Sequence, residues 1–191
     1  QLIVAGSVVY FHGSVTGSYV PYWYQTLAFG SLAPIISIVF IVGMINAFNF
    51  MDGIDGIAAT QGIVIGISWA AVGYLHGSQS ILIIGLIFSA SCLGFIVFNW
   101  QPARVFMGDT GSTYLGFVFG SLPVILADQS SIQAPELLLL AVLFAWLFIY
   151  DTVVTRAVQI IRGSKLWLPD REYQYERLVI NGVAYSQVCF F

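Results

Sequence analysis

Between Gly30 and Phe48 the chain reads "GSLAPIISIVFIVGMINAF", without one formally charged side chain, and comparably apolar stretches run from Ile57 to His76, Ser80 to Phe98, Ser112 to Ala127 and, with two acids, Pro135 to Thr155. About 20 apolar residues in a helix cross the roughly 30 Å hydrocarbon layer of a bilayer, so runs of this length and spacing predict membrane-spanning helices. Only 8% of the 191 residues are charged, where a soluble domain carries about 25%. The expected fold is all-α, a polytopic transmembrane helical bundle with about five full spans plus partial spans at the ends. "QLIVAGSVVYF" at the start would rise only about 16 Å as a helix, half a span. Together with the abrupt end at "QVCFF", this leads us to expect residues 1–191 to be one integral membrane domain, an internal fragment of a longer protein.

The composition excludes several classes. Nine acids against six bases give a net charge of −3, and no long run of one sign offers a nucleic-acid or anionic-lipid site. Cys92 and Cys189 have neither CxxC nor Cys/His spacing, so no disulfide framework or zinc site is indicated. Gly62 with Gly66, and Gly116 with Gly120, place small residues on single helical faces, as close helix packing in lipid favours.

Every basic side chain, Arg104, Arg156, Arg162, Lys165, Arg171 and Arg177, falls in segment 99–111 or at and after the end of the Pro135 helix. The positive-inside rule makes both regions cytoplasmic. Counting spans by parity adds segment 49–56 to the same face, so three polar loops converge there. "HGSVTGSYVPYWY" falls on the other side, with Tyr19, Tyr22, Trp23 and Tyr24 as an interfacial aromatic belt. His12 and His76 then lie away from the loops.

Two of those loops carry the chemistry. In "NAFNFMDGIDGIA", Asn49, Asp52 and Asp55 recur at i, i+3 and i+6, so one helical face would be polar and acidic. Such groups at a membrane boundary are costly unless hydrated, paired or metal-bound, and Gly53 and Gly56 let a ligand approach the backbone. The bland reading is a solvated turn with Asp as a helix cap. An EF-hand is excluded by its spacing. In "FNWQPARVFMGDTGSTYLG", Asp109 precedes the Ser112 span. Either Asp109 or Thr110 caps that helix, or Asp109 holds a hard cation while the helix N-terminus and Gly111 offer N–H groups to phosphate and Arg104 adds a guanidinium. Carboxylates repel phosphate, so acids facing an anionic substrate require an intervening metal, and Mg2+ is the expected ion. Asp151, at the end of "LLLLAVLFAWLFIY", is either a functional acid or a partner for Arg156.

"NAFNFMDGIDGIA", "PARVFMGDTGS" and "FIYDTVVTRAVQIIRG" together resemble the polyprenyl-phosphate N-acetylhexosamine-1-phosphate transferases, the group of the phospho-MurNAc-pentapeptide translocases, and among them the O-antigen initiating branch. The resemblance runs over essentially the whole chain. It implies a Mg2+-dependent enzyme, with Mn2+ as the alternative ion, of the bacterial cytoplasmic membrane. That enzyme would transfer a sugar 1-phosphate from a UDP-sugar to polyprenyl phosphate and release UMP, with its active-site loops facing the cytoplasm and a homodimer as a compatible assembly. Carried over by position, Asp109 is the metal ligand, with Asp52 beside it. Asn49, Asp52 and Asp55 line the catalytic cleft, with Asp52 orienting the attacking phosphate. Asn46, Asn99, Arg104, Asp151, Arg171 and Arg177 are the expected substrate-binding residues.

Two departures stand out. The family's adjacent acidic pair ahead of the first motif is not in this chain. In "DREYQYERL", Asp170 and Tyr173 stand where relatives place His, and Gln187 stands where a later His would fall, while Arg171, Tyr175 and Arg177 keep the pattern. Competing readings are a CDP-alcohol phosphotransferase, a catalytically impaired membrane scaffold and an ion-binding transporter relative. The first requires an Ala-Arg after the first Asp-Gly, which "DGIDGIAATQ" lacks. Transporter acids usually lie near mid-membrane, whereas these fall at helix ends.

Overall fold

A computed structural model describes residues 1–20, 25–127, 134–163 and 173–189. Helix α1 (Leu2–His12) leads into an antiparallel hairpin of β1 (Gly17–Val20) and β2 (Gln25–Ala28), in which Gly17 faces Ala28 and Val20 faces Gln25. After a 3-10 turn at Gly30–Leu32, α2 (Ala33–Met51) begins with Pro34, whose fixed φ suits a first helical turn. Then come α3 (Ile57–Leu75), α4 (Gln79–Asn99), α5 (Gly108–Leu126), α6 (Ala134–Phe144), α7 (Trp146–Ile161) and the short α8 (Gln174–Ile180) and α9 (Tyr185–Val188).

The bundle is assembled from two antiparallel helix pairs, α2 with α5 and α3 with α4. In lipid no hydrophobic force drives helices together, so close approach depends on small residues. A Cβ on Gly116 would meet the Met44 carbonyl oxygen, one on Gly120 would crowd Ile41 and Met44, and Gly66 and Gly85 leave no room for side chains between α3 and α4. The glycine faces expected from the sequence are thus the seams of both pairs. Aromatic rings fill the space between the pairs and α7. Phe48 lies between Phe119 (5.7 Å) and Phe148 (4.9 Å), and Trp69 is fully buried edge-on to Phe144 (5.5 Å).

Three features differ from the expectation. The segment after α1 forms the hairpin, tied to α2 where the Val15 N–H donates to the Ser37 hydroxyl at 3.0 Å. Tyr22, Trp23 and Tyr24 of the expected belt lie outside the described residues. The single span expected over Pro135–Thr155 is instead bent by 77° between α6 and α7. The break has a partner in α3: the Gln61 amide donates to the Phe144 carbonyl at 2.7 Å, a side chain inserted into the helical ladder. Finally, against about five full spans expected, three helices among the described residues are long and apolar enough to cross a membrane, or four with the bent pair counted as one. Helix α5 has the length, but its first turns carry Asp109, Thr110, Ser112 and Thr113.

Candidate functional site

The ends of α2 and α4, the middle of α7 and the starts of α3, α5 and α8 meet at one end of the bundle. At Asp52 the backbone leaves the α2 helix (ψ 46°), and Gly56, at φ 85°, makes the left-handed turn that starts α3. The turn is clamped to the following loop by two side chains. Buried Asn99 accepts from the Gly56 N–H at 3.0 Å and donates to the Val105 carbonyl at 2.9 Å, and an Asp55 oxygen accepts from the Ala103 N–H at 3.1 Å. Asn99 and Asp55 thereby fix the two loops against each other.

That clamp brings the start of α5 to the end of α2. The Asn49 amide donates to Asp109 Oδ1 at 3.1 Å and to the Ser112 hydroxyl at 3.3 Å. Asp109 lies in the first turn of α5, where the helix dipole favours a negative charge, but it does not cap the helix: Met107 holds the cap position, with no side-chain cap bond. Asp52, half-buried, is near enough to sense Asp109. Burial first, and then the Asp109 charge, push its carboxyl up from 3.8 to about 7. Two acids crowded in this way suit a hard divalent cation, which would neutralise both. Among the described residues no three or more His, Cys, Asp or Glu side chains group around a metal position. Two carboxylates are the protein's usual share of the ligands of a hard cation of the Mg2+ class, so Asp52 and Asp109 are the residues that could hold one.

The other expected residues divide clearly. Arg104 is exposed on the clamped loop and Arg177 on α8. Asn46 lies one turn back along α2 and is bonded to the Gln1 side chain and the Val42 carbonyl, away from the two acids. Asp151 forms no pair with Arg156. It is buried, with its oxygens turned to the Thr155 hydroxyl and to the N–H groups of α8, and Arg156 lies over the Phe50 ring at 4.0 Å and donates to Gln159. Arg171 and Asp170 lie outside the described residues. Tyr173, at a position where relatives were expected to carry His, is a buried ring stacked on Tyr175 (5.8 Å).

Sequence reasoning missed Ser112, which shares the Asn49 amide with Asp109, and Trp100, whose ring lies 3.2 Å from where a Cβ on Gly56 would stand. It also gave Tyr175 no task, yet the Tyr175 hydroxyl donates to the Phe50 carbonyl at 3.0 Å. Only the adjacency of Ser112 to the GDTG motif could have signalled any of these.

Residues 1–127 match the family described as Glycosyl transferase family 4. Among curated relatives, a protein of Bacillus subtilis described as a probable undecaprenyl-phosphate N-acetylglucosaminyl 1-phosphate transferase is 33% identical over 171 residues, covering 87% of this chain and 46% of the relative. A phospho-N-acetylmuramoyl-pentapeptide-transferase of Staphylococcus saprophyticus is 42% identical over 103 residues, covering 53% and 32%. A decaprenyl-phosphate N-acetylglucosaminephosphotransferase of Mycobacterium tuberculosis is 28% identical over 173 residues, covering 81% and 42%. The chain thus spans less than half the length of these relatives.

Proposed function

The chain belongs to glycosyl transferase family 4, and from that premise we propose that it is part of a membrane enzyme transferring N-acetylhexosamine 1-phosphate from a UDP-sugar to a polyprenyl phosphate. The observation that carries this reading is the meeting of Asn49 and Asp52, at the end of α2, with Asp109, at the start of α5, at one end of an apolar bundle. The relatives named for polyprenyl phosphates support the acceptor. So does an apolar groove of about 520 Å3 between α2 and α7, lined by Phe40, Met44, Phe50, Ile149, Arg156 and Ile160, which runs toward the acidic end. Arg104 follows the Ala103 N–H that is bonded to Asp55, Arg156 lies over Phe50 at the end of α2, and Arg177 is on α8, which supports a cytoplasmic orientation of that end in a bacterial membrane.

In the proposed reaction an oxygen of the lipid phosphate attacks the sugar-linked phosphorus of the donor. The bond from that phosphorus to the bridging oxygen breaks, and UMP leaves with the oxygen. Asp52 and Asp109 would hold Mg2+, which when bound supplies neutralising charge to the diphosphate. Asn49 keeps the Asp109 carboxylate aimed through its amide, and Arg104 on the exposed loop is placed to donate to phosphate oxygens. The attacking phosphate is already largely ionised near neutral pH, with a second pKa of about 6, so Asp52 orients it and abstracts no proton. The direct test is release of UMP from UDP-N-acetylhexosamine by the intact protein in liposomes containing undecaprenyl phosphate and Mg2+. Mg2+-driven ion flux without UMP would overturn the transferase reading in favour of a transporter.

The position of Asp52 predicts a pH dependence. Its carboxyl holds a proton up to about pH 7 in the folded protein, whereas an unfolded chain releases it near 3.8. Between those values the folded state binds more protons, so this stabilising contribution is complete below the lower value and is lost as pH rises through the upper. In EDTA the melting temperature should therefore fall from pH 5 to 7.5. Millimolar Mg2+, which favours the ionised form, should remove the slope, and Asp52→Asn should flatten it without metal. A flat wild-type profile in EDTA would show that Asp52 ionises normally.

A further inference from the structure

Behind the two acids, α7 and α8 make a contact that the transferase chemistry does not use. Asp151 is 5% exposed, and a buried carboxylate is costly unless its oxygens are bonded. Here they are. Oδ1 accepts from the Thr155 hydroxyl at 3.1 Å and from the Gln174 N–H at 3.0 Å, and Oδ2 accepts from the Gln174 N–H at 3.1 Å and from the Tyr175 N–H at 3.5 Å. These N–H groups are the first of α8, which have no partner within their own helix. Across a gap of 23 residues in the chain, one carboxylate therefore fixes where α8 begins.

What α8 then delivers is Tyr175. Its hydroxyl donates to the Phe50 carbonyl at 3.0 Å, in the last turn of α2, and it lies where any Cβ on Gly53 would have to be. Gly53 is the neighbour of Asp52. A stack of rings reinforces the contact: Phe50 lies 6.3 Å from Tyr173, which lies 5.8 Å from Tyr175, with interplanar angles of 25° in both pairs. The Arg156 guanidinium lies against both Phe50 and Tyr173, 4.0 Å from the first ring and 6.0 Å from the second.

We propose that Asp151 is a positioning residue: by holding the start of α8 it seats Tyr175 against Phe50 and Gly53 and so fixes the turn that carries Asp52. Asp151 touches none of the reacting groups and acts through Tyr175. The position of Asp52 is then set from both sides, by the Asn99 and Asp55 clamp on one and by the Asp151–Tyr175 latch on the other. The proposal rests on the transferase reading for its effect on turnover, but the contact itself can be tested without it.

The experiment compares Asp151→Ala, Asp151→Asn, Tyr175→Phe and the Ala/Phe double variant of the intact protein in liposomes, by hydrogen exchange over residues 174–180 and by UMP release. Asp151→Ala should speed exchange across α8 and lower kcat roughly 10- to 100-fold, as misplacement of a catalytic group does, while Mg2+ still raises the melting temperature. Asp151→Asn keeps one acceptor oxygen and should recover most of both. Tyr175→Phe should lower kcat, and the double variant should be little worse than Asp151→Ala, because both changes release the same contact. Unchanged α8 exchange in Asp151→Ala, wild-type kcat, or additive losses in the double variant would each overturn the proposal. A wild-type protein that releases no UMP would instead defeat the transferase reading, and exchange alone would then decide for or against the latch.

Discussion

Asp109→Asn in the intact protein is expected to lower Mg2+-dependent UMP release by about three orders of magnitude, the equivalent of about 4 kcal/mol of lost charge stabilisation, while the bundle remains folded. The reasoning starts from the hydrogen bonds. Asn49 donates to Asp109 Oδ1 at 3.1 Å, and an Asn at 109 keeps an oxygen of the same shape at that position. Asn49 therefore stays satisfied, and α5 stays against α2. What disappears is charge: an amide oxygen is a poorer ligand for a hard cation than a carboxylate oxygen. Asp52 would also lose the neighbouring charge that helps push its carboxyl up to about 7, so its titration should shift down by the smaller of its two causes. Three measurements decide the matter: UMP release, Mg2+ titration of the melting temperature, and the pH slope of stability in EDTA. Wild-type turnover in this variant would remove Asp109 from the metal site. A collapsed melt would mean that its charge is needed for the fold.

The parts of this architecture legible in the sequence are those set by local chemistry. Apolar runs located α2, α3 and α4 to within a few residues because length and polarity alone decide whether a helix can sit in lipid. The glycine spacing at 116 and 120 pointed to a helix seam because it needs only the helical period. Features made by distant partners were not legible. Ala145, where α6 and α7 break, is neither Gly nor Pro, and the cause is Gln61, far back in α3. Asp151 read as a functional acid or a partner for Arg156 because its partners, the N–H groups of α8, are backbone atoms invisible to any side-chain pattern. In the acidic cluster, spacing grouped Asn49, Asp52 and Asp55, but the structure separates their tasks: Asn49 and Asp52 face Asp109, while Asp55 is taken up by the Ala103 N–H. The helical period could not foresee that division, because the backbone leaves the α2 helix at Asp52.

A second large effect is expected at a residue with no chemistry of its own. Gly116 sits where α5 crosses α2, and a Cβ there would lie 2.5 Å from the Met44 carbonyl oxygen and 2.7 Å from the Ile45 Cα. Both are backbone atoms of a helix, so no rotamer change relieves the overlap and the helices must move apart. Overpacking of a core usually costs about 1–3 kcal/mol, and Gly116→Leu, with its obstacle in the backbone, belongs at the upper end. That predicts a fall in melting temperature of roughly 10 °C for a chain of this size. The damage should reach the site, because α2 carries Asn49 and leads into Asp52, and α5 carries Asp109 about 10 Å along the helix from the point of contact. A splay at Gly116 opens the gap that the Asn49–Asp109 bond spans, so UMP release and the stabilisation by Mg2+ should be lost together. Gly94→Leu is the control. Gly94 is also helical, but a Cβ there meets nothing within 4 Å, and replacing glycine on an open helix face should be neutral or slightly stabilising. If the two variants behave alike, close packing at Gly116 is not what holds Asp109 beside Asn49.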